Sequence, residues 1–169
     1  TTRSDKRRRM KEFLRQIAIE LCGGLLQVGS KPFLLAEAPA VVIAPHQDDE
    51  TLACGGLIAR KRNEGLPIHV IFITDGSASH PGHPRFAPPA LAALRRQEAM
   101  SALACLGVER SAVRFLDEPD GTLNAITAAH RKALIERLVR ELQQIGPAEL
   151  FLPCNPDGSS EHEDRLAGA

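Results

Sequence analysis

Short apolar runs alternate with longer helical stretches from residue 40 onwards, and this alternation narrows the fold more than any single motif. The first run, at 40–44, is continuous and contains β-branched residues, which is typical of a parallel strand buried on both faces. The predicted strands are 40–44, 68–73, 113–116 and 149–152. The predicted helices between them are 51–64, 90–106 and 126–145, each followed by glycine. We therefore expect an α/β fold with a Rossmann-like, open and mostly parallel sheet that carries helices on both faces.

The chain divides by composition into a basic N-terminal segment and one longer domain. A length of 169 residues suits a single domain with a substantial apolar core. Residues 1–35 combine a basic start with an apolar stretch that charged residues interrupt, which predicts an amphipathic helix at roughly 5–26 rather than a signal peptide. Residues 36–169 form the predicted α/β domain. A peripheral membrane contact through the basic helix stays open.

The charge balance and the cysteines narrow the classes of function. Lys plus Arg and Asp plus Glu both number 21, so bulk charge does not favour a nucleic-acid-binding protein. The four cysteines include no Cys-x-x-Cys pair, which favours a reduced, cytoplasmic chain. No stretch reaches the ~18 consecutive apolar residues that a membrane span needs. The sequence leaves the oligomeric state open, including a homo-oligomer.

Residues with metal-binding and acid–base chemistry follow three of the predicted strands. Open parallel sheets bind ligands beyond the carboxyl ends of their strands, so these residues would share one rim. They are His46, Asp48, Asp49 and Glu50 after the first strand, Asp75, His80 and His83 after the second, and Asp157, Glu161 and His162 after the fourth. Their concentration predicts a functional site at this rim.

The run His-Gln-Asp-Asp-Glu at 46–50 lies between a buried strand and the start of a helix. Part of the run would be explained by an Asp that caps the helix and by a Glu whose negative charge is favourable near the helix N-terminus. Capping does not explain a histidine directly after the strand or two adjacent carboxylates, whose repulsion a bound cation would relieve. His46 and Asp49 suit zinc, His162 is the best placed third ligand, and water would take a fourth position. Asp48 is then the candidate general base for amide hydrolysis.

These residues resemble the PIG-L/LmbE-like family of zinc-dependent N-deacetylases, whose hallmark is a strand that ends in Ala/Pro-His-Pro-Asp-Asp-Glu. This sequence has Ala-Pro-His-Gln-Asp-Asp-Glu at 44–50. Gln47 replaces the usual proline, which is not a ligand. Phe-Ile-Thr-Asp-Gly at 72–76 and Arg-Arg-Gln-Glu at 95–98 are similar to two further blocks of the family. The resemblance covers most of residues 40–166.

The resemblance implies a role for each residue of the first motif. His46 and Asp49 would bind one zinc ion and Asp48 would be the catalytic base. Glu50 would support the turn and the start of the helix. Arg95 and Asp75 are candidates for substrate binding. A charged helix face explains Arg95 equally well, and a plain strand end explains Asp75.

The third ligand depends on how the family's late His-x-Asp-His motif aligns with this chain. Alignment on Asp-Gly at 157–158 places His162 at the ligand, Glu161 before it as a candidate for substrate binding, and Ser159 at the first histidine. A rival alignment on 162–165 would place an arginine at the ligand and remove the metal site. His80 or His83 could compensate for the histidine that Ser159 replaces.

The resemblance implies a zinc-dependent hydrolase that removes an acetyl or other acyl group from an amide nitrogen. The expected substrate is a small N-acylated molecule, an N-acetylglucosaminyl-type conjugate. Two alternatives are a related zinc amidase that acts on a non-sugar amide and a metal-retaining binding domain without catalysis; Asp48 argues against the second. Because family members usually continue beyond this point, we expect the domain of 36–169 to be truncated at its C-terminus.

Overall fold

The computed structural model describes residue 20 and residues 34–80, 87–147 and 149–153. The chain divides into two compact units, Thr1–Leu35 and Ala36–Ala169. The predicted N-terminal helix lies outside the described residues except for Glu20, which is helical and exposed. The domain assignment of 36–169 stays a prediction. The described strands all belong to the second unit.

The described part of the second unit forms a four-stranded sheet in which all paired strands are parallel. The strands are β1 (Ala40–Ala44), β2 (Ile68–Thr74), β3 (Val113–Glu118) and β4 (Glu149–Phe151). Their order across the sheet is β3-β2-β1-β4. The chain therefore builds outward from β1 to β3 and then crosses back to place β4 on the free side of β1. The predicted parallel α/β sheet is confirmed.

Three helices connect the strands, and their starts show local reasons for the differences from the predicted bounds. They are α1 (Asp49–Asn63), α2 (Pro88–Cys105) and α3 (Ala128–Ile145). α1 and α2 begin two residues earlier than predicted because acidic residues and proline are favourable in a first helical turn. α3 begins two residues later, because the Thr127 side chain caps it by accepting the His130 backbone N–H at 3.2 Å. None of the helices within the described ranges is long and apolar enough to span a bilayer.

Apolar side chains of β1 and β2 pack on both faces of the sheet. One cluster includes Val42 and Phe72 and packs with Ile58 of α1 and Leu103 of α2. The other includes Ile43 and packs with apolar residues of α3: Leu134, Leu138, Leu142 and Ile145. Helices therefore cover both faces, as predicted, and the carboxyl ends of the strands are left at one rim.

Lys61 of α1 is fully buried and joins three parts of the chain. Its Nζ donates to the carbonyl oxygens of Ala36 and Ala38, both at 2.9 Å, and forms an ion pair with Glu149 at the start of β4. The Lys61 hydrogen bond lowers the pKa of the Glu149 carboxyl. The ammonium group therefore anchors β4 beside β1.

We expect Lys61→Met to lower the free energy of unfolding by about 1–3 kcal/mol, because it leaves two carbonyl groups without their donor. Urea unfolding measures the change. Lys132→Met is the matched control: Lys132 is 79% exposed and its ion pair with Glu136 spans 3.9 Å, so its loss should cost less than about 0.5 kcal/mol. Equal losses in the two variants would contradict the anchoring role.

Candidate active site

A tight turn joins the end of β1 to the start of α1 and carries the residues 46–48. Thr74, the last residue of β2, holds this turn: its backbone N–H and its hydroxyl both donate to the Pro45 carbonyl oxygen, at 3.0 and 2.9 Å. β1 lies between β2 and β4, where the chain order across the sheet reverses. Ligands of open α/β sheets bind at such a reversal, so the turn is the expected place for a site.

The His46 ring lies between two carboxylates. Its Nδ1 is 3.3 Å from Asp49 Oδ2, and its Nε2 is 3.1 Å from Asp120 Oδ1. The His46 backbone N–H also donates to Asp49 Oδ2 at 2.9 Å. Burial by itself raises the pKa of Asp49, but the hydrogen bonds and the charge of His46 outweigh it and lower that pKa below its usual value. Asp49 is therefore held ionised against the imidazole.

Asp48 contacts Arg95 of α2. Asp48 Oδ1 is 3.0 Å from Arg95 Nη2, which also donates to the Gln47 carbonyl oxygen at 2.7 Å. Although Asp48 immediately precedes α1, its side chain makes no capping hydrogen bond among the described residues. Capping thus does not account for Asp48. Arg95 points to the turn and lies in the site rather than on an outer helix face.

Glu50 is buried and supports the same turn from inside. Its Oε2 accepts the Asp48 backbone N–H at 3.0 Å and its Oε1 accepts the Thr51 hydroxyl at 2.7 Å. Burial is the main cause that raises the pKa of Glu50 above its usual value. These contacts lie within the turn, and the supporting role of Glu50 stays a prediction.

Two further aspartates shape the rim. Asp75 Oδ1 accepts the backbone N–H groups of Ser77 and Asp120, at 3.0 and 3.2 Å, so this oxygen ties the loop after β2 to the loop after β3. Asp120 Oδ2 accepts the Ala78 N–H at 2.9 Å, while its other oxygen faces His46. Asp120 is not among the residues that the sequence predicts for the site, since Asp-Gly is typical of a turn. The sequence signal that could have identified Asp120 is its position after β3, whose carboxyl end lies at the same rim.

Two cavities border the turn, and Glu50 lines both of them. The larger, of about 500 Å³, lies between the start of α1 and α2 and is lined by Asp48, Leu52, Leu91 and Arg95, among others. The smaller, of about 220 Å³, lies beside β1 and β4 and is lined by Asp49 and by Pro153 after β4, among others. Asp48 and Asp49 therefore face different spaces.

The third predicted ligand cannot be placed beside His46 and Asp49, because His162 lies outside the described residues, as do Glu161, Ser159 and His83. His80 is described; it is exposed and contacts the Ser79 hydroxyl at 3.2 Å. In the portion of the chain that the structure describes, no three His, Cys, Asp or Glu side chains are grouped to hold a metal ion. His162 and Glu161 stay predictions.

The fold and the rim define a Rossmann-like α/β protein with a His–Asp–Arg site at the carboxyl ends of its strands. Residues 41–166 match the family model described as PIG-L: GlcNAc-PI de-N-acetylase. The chain belongs to this family. The resemblance seen in the motif at 44–50 is thereby confirmed.

Individual relatives carry related names. The chain is 30% identical to a 1D-myo-inositol 2-acetamido-2-deoxy-alpha-D-glucopyranoside deacetylase of Rhodococcus jostii (strain RHA1), over 78% of this chain and 51% of that protein. It is 29% identical to a probable N-acetyl-alpha-D-glucosaminyl L-malate deacetylase 2 of Bacillus anthracis, over 63% and 47%. Among solved structures it is similar to the N,N'-diacetylchitobiose deacetylase of Pyrococcus horikoshii, with 28% identity and a TM-score of 0.61 over 78% of this chain and 47% of that one. The chain spans about half the length of the curated relatives it matches.

The raised pKa of Glu50 predicts a pH dependence of stability for the metal-free protein. The folded state binds the Glu50 proton more tightly than the unfolded state, so stability falls as pH rises from the ordinary value of 4.5 through the higher folded-state value. Glu50→Gln should remove this part of the slope. Urea unfolding from pH 4 to 7 in the presence of a chelator measures it.

Glu98→Gln, at an exposed position of α2, is the control for that measurement and should keep the wild-type slope. If Glu50→Gln and the wild type differ by a constant amount across this range, the buried carboxyl does not titrate as described.

Proposed function

We propose that this chain belongs to a metal-dependent N-deacetylase that removes an acetyl group from an N-acetylglucosaminyl-type conjugate. The proposal rests on two contacts at one turn: His46 and Asp49 face each other, while Asp48 pairs with Arg95. The names of the Rhodococcus, Bacillus and Pyrococcus relatives describe deacetylases of N-acetylglucosamine-containing compounds, and this supports the substrate class.

The donor chemistry of His46 and Asp49 fits a zinc ion. When the His46 ring loses its Nδ1 proton and keeps Nε2–H toward Asp120, the Nδ1 lone pair faces Asp49 Oδ2 at 3.3 Å. Two acceptors that face each other are well suited to share a cation, and a carboxylate behind a histidine ligand is the usual support for such a site. His162 is the proposed third ligand. When bound, zinc would polarise the amide carbonyl and lower the pKa of a water to ~7.

The position of Pro153 supports His162 as that ligand. β4 is parallel to β1 and adjacent to it, so the chain leaves β4 at the rim, and Pro153 lines the same small cavity as Asp49. His162 follows nine residues later in the sequence. A ligand from this segment would enter the site through the small cavity that Asp49 lines.

Asp48 is the proposed general base. Its side chain is 56% exposed and lines the larger cleft, so it can reach a water that attacks an amide carbonyl. Arg95 fixes its orientation through the 3.0 Å ion pair. After it accepts the proton of the attacking water, the same carboxyl group can give a proton to the leaving amine.

Arg95 and the loop of Asp75 are the proposed substrate contacts. Arg95 lines the cleft and its guanidinium has five N–H donors, which suits the hydroxyl oxygens of a sugar. One oxygen of Asp75 already accepts two backbone N–H groups. We therefore assign its contribution to the loop that it holds together rather than to direct contacts of both oxygens with the substrate. A non-catalytic metal-binding domain would not need an exposed carboxylate that an arginine holds toward a cleft.

We expect Asp48→Asn to lower kcat by about 10²–10⁴-fold, the usual contribution of a positioned general base, without changing the zinc content. Acetate release from N,N'-diacetylchitobiose and from an N-acetylglucosaminyl inositol, in the presence of zinc, measures it. Asp117→Asn is the control: Asp117 is an exposed aspartate near the end of β3 that pairs with Arg96. Wild-type protein that binds zinc and releases no acetate from any amino-sugar conjugate would sink the proposed function.

We expect one zinc ion per chain, and His46→Ala or His162→Ala should each weaken its binding by at least about 100-fold, since a ligand matters more than the residues behind it. Titration calorimetry with zinc alone measures the affinity. His130→Ala removes an exposed histidine of α3 that pairs with Glu118 and should bind zinc as the wild type does. Unchanged affinity in His162→Ala would show that another residue supplies the third ligand.

A further inference from the structure

Gln47 is a polar residue that the turn buries. It is only 6% exposed, although it lies between His46 and the exposed Asp48. Its side-chain Nε2 donates to the Thr74 carbonyl oxygen at 2.6 Å. A carbonyl oxygen can only accept, so this contact fixes which end of the Gln47 amide faces β2.

This contact closes a ring of hydrogen bonds around the turn. Thr74 donates twice to the Pro45 carbonyl oxygen, at 3.0 and 2.9 Å, and Gln47 donates back to Thr74. Arg95 Nη2 binds the Gln47 carbonyl oxygen on the outer side. Among these contacts, the one between Gln47 and Thr74 is the only one that a side chain of the turn itself donates. It ties the middle of the turn to β2.

The other end of the Gln47 amide lies against the backbone of Gly76. A Cβ atom at position 76 would lie 2.3 Å from Gln47 Oε1 and 2.9 Å from Arg95 Cδ. Gly76 also has φ +69, a conformation that favours glycine. Gln47 Oε1 is buried and has no hydrogen-bond partner among the described residues, which is unfavourable for stability. A contribution to stability therefore does not explain this residue well. The hydrogen bond that its amide nitrogen donates to Thr74, which fixes the position of the turn, explains it better.

We propose that Gln47 is a positioning residue that holds the turn of His46 and Asp48 in the geometry needed for deacetylation. The proposal rests on the proposed function. Gln47 acts through the turn and not on the substrate, because its amide nitrogen is engaged by Thr74 and its amide oxygen is out of contact with solvent. Its loss should therefore lower kcat more than it changes KM.

The test compares Gln47→Met, which keeps the length of the side chain and removes the donor, with Val113→Ala. Val113 is a buried residue at the amino end of β3, at the opposite end of the sheet from the turn. In Gln47→Met we expect kcat to fall about tenfold, the factor that corresponds to the free energy of about one hydrogen bond, and KM to stay within about twofold. Val113→Ala should lower the melting temperature and keep the wild-type kcat.

Amide hydrogen exchange provides a readout that does not depend on activity. The Thr74 N–H, bound to the Pro45 carbonyl oxygen, should exchange at least about tenfold faster in Gln47→Met and at the wild-type rate, relative to other strand amides, in Val113→Ala. A second measurement tests the packing against Gly76. Gly76→Ala should lower the melting temperature less in a Gln47→Ala background than in the wild type, since the contact at 2.3 Å is then absent.

The outcomes separate this proposal from the proposed function. Wild-type kcat in Gln47→Met, or an unchanged Thr74 exchange rate, overturns the positioning role even when the wild type deacetylates amino sugars. If the wild type shows no deacetylation, the proposed function fails, and faster exchange in Gln47→Met still supports the hold of Gln47 on the turn. A kcat loss that is equal in Gln47→Met and Val113→Ala would also overturn the proposal, because it would reflect stability alone.

Discussion

The double hydrogen bond from Thr74 to the Pro45 carbonyl oxygen is the contact on which the site depends. It extends the pairing of β1 with β2 by one residue beyond Ala44, so the turn after β1 starts from a fixed point. The backbone of β1 is paired on both sides, with β2 and with β4, and cannot shift alone. The position of His46 is thus set by the sheet, and Lys61 contributes by anchoring β4.

Three acidic residues in sequence, Asp48, Asp49 and Glu50, are accommodated by three different partners. Asp48 pairs with Arg95, Asp49 with His46, and Glu50 accepts hydrogen bonds inside the turn. Asp49 and Glu50 begin α1, where successive residues point about 100° apart, and Asp48 precedes the helix, so the three carboxylates reach different partners. Their repulsion is therefore relieved within the protein and does not by itself require a cation. The proposal of a zinc ion rests instead on the donor chemistry of His46 and Asp49 and on the family resemblance.

The parts of the fold that depend on local pattern were predictable. The β-branched runs identified β1 and β2, which are buried on both faces. Shorter apolar segments between turn signals identified β3 and β4. The observed helix starts differ by two residues from the predicted ones where a favourable first-turn residue, such as Pro88, or a capping residue, such as Thr127, sets the start. His46 and Asp49 could be paired because they are three residues apart on one turn.

The long-range parts of the site were not predictable in the same way. The sequence was compatible with Arg95 on a solvent-exposed helix face and with Arg95 in the site, because helical periodicity does not show which face of a helix contacts a neighbouring turn. Asp120 carried the sequence signal of a turn, and its contact with His46 arises only because β3 lies beside β2 and β2 beside β1. Gln47 differs from the family's usual proline, and only the fold directs its amide to Thr74.

The two cavities bear on how the third ligand would enter. A segment of nine residues can span up to about 30 Å, so the distance in sequence from Pro153 to His162 does not by itself bring the histidine to Asp49. What favours it is that β4 ends beside the small cavity that Asp49 lines. Because Asp48 faces the other cavity, a segment that completes the metal site from the side of β4 would leave the cleft of Asp48 and Arg95 open to substrate. The strand order β3-β2-β1-β4 therefore brings the end of β4 and the cleft of Asp48 to the same turn.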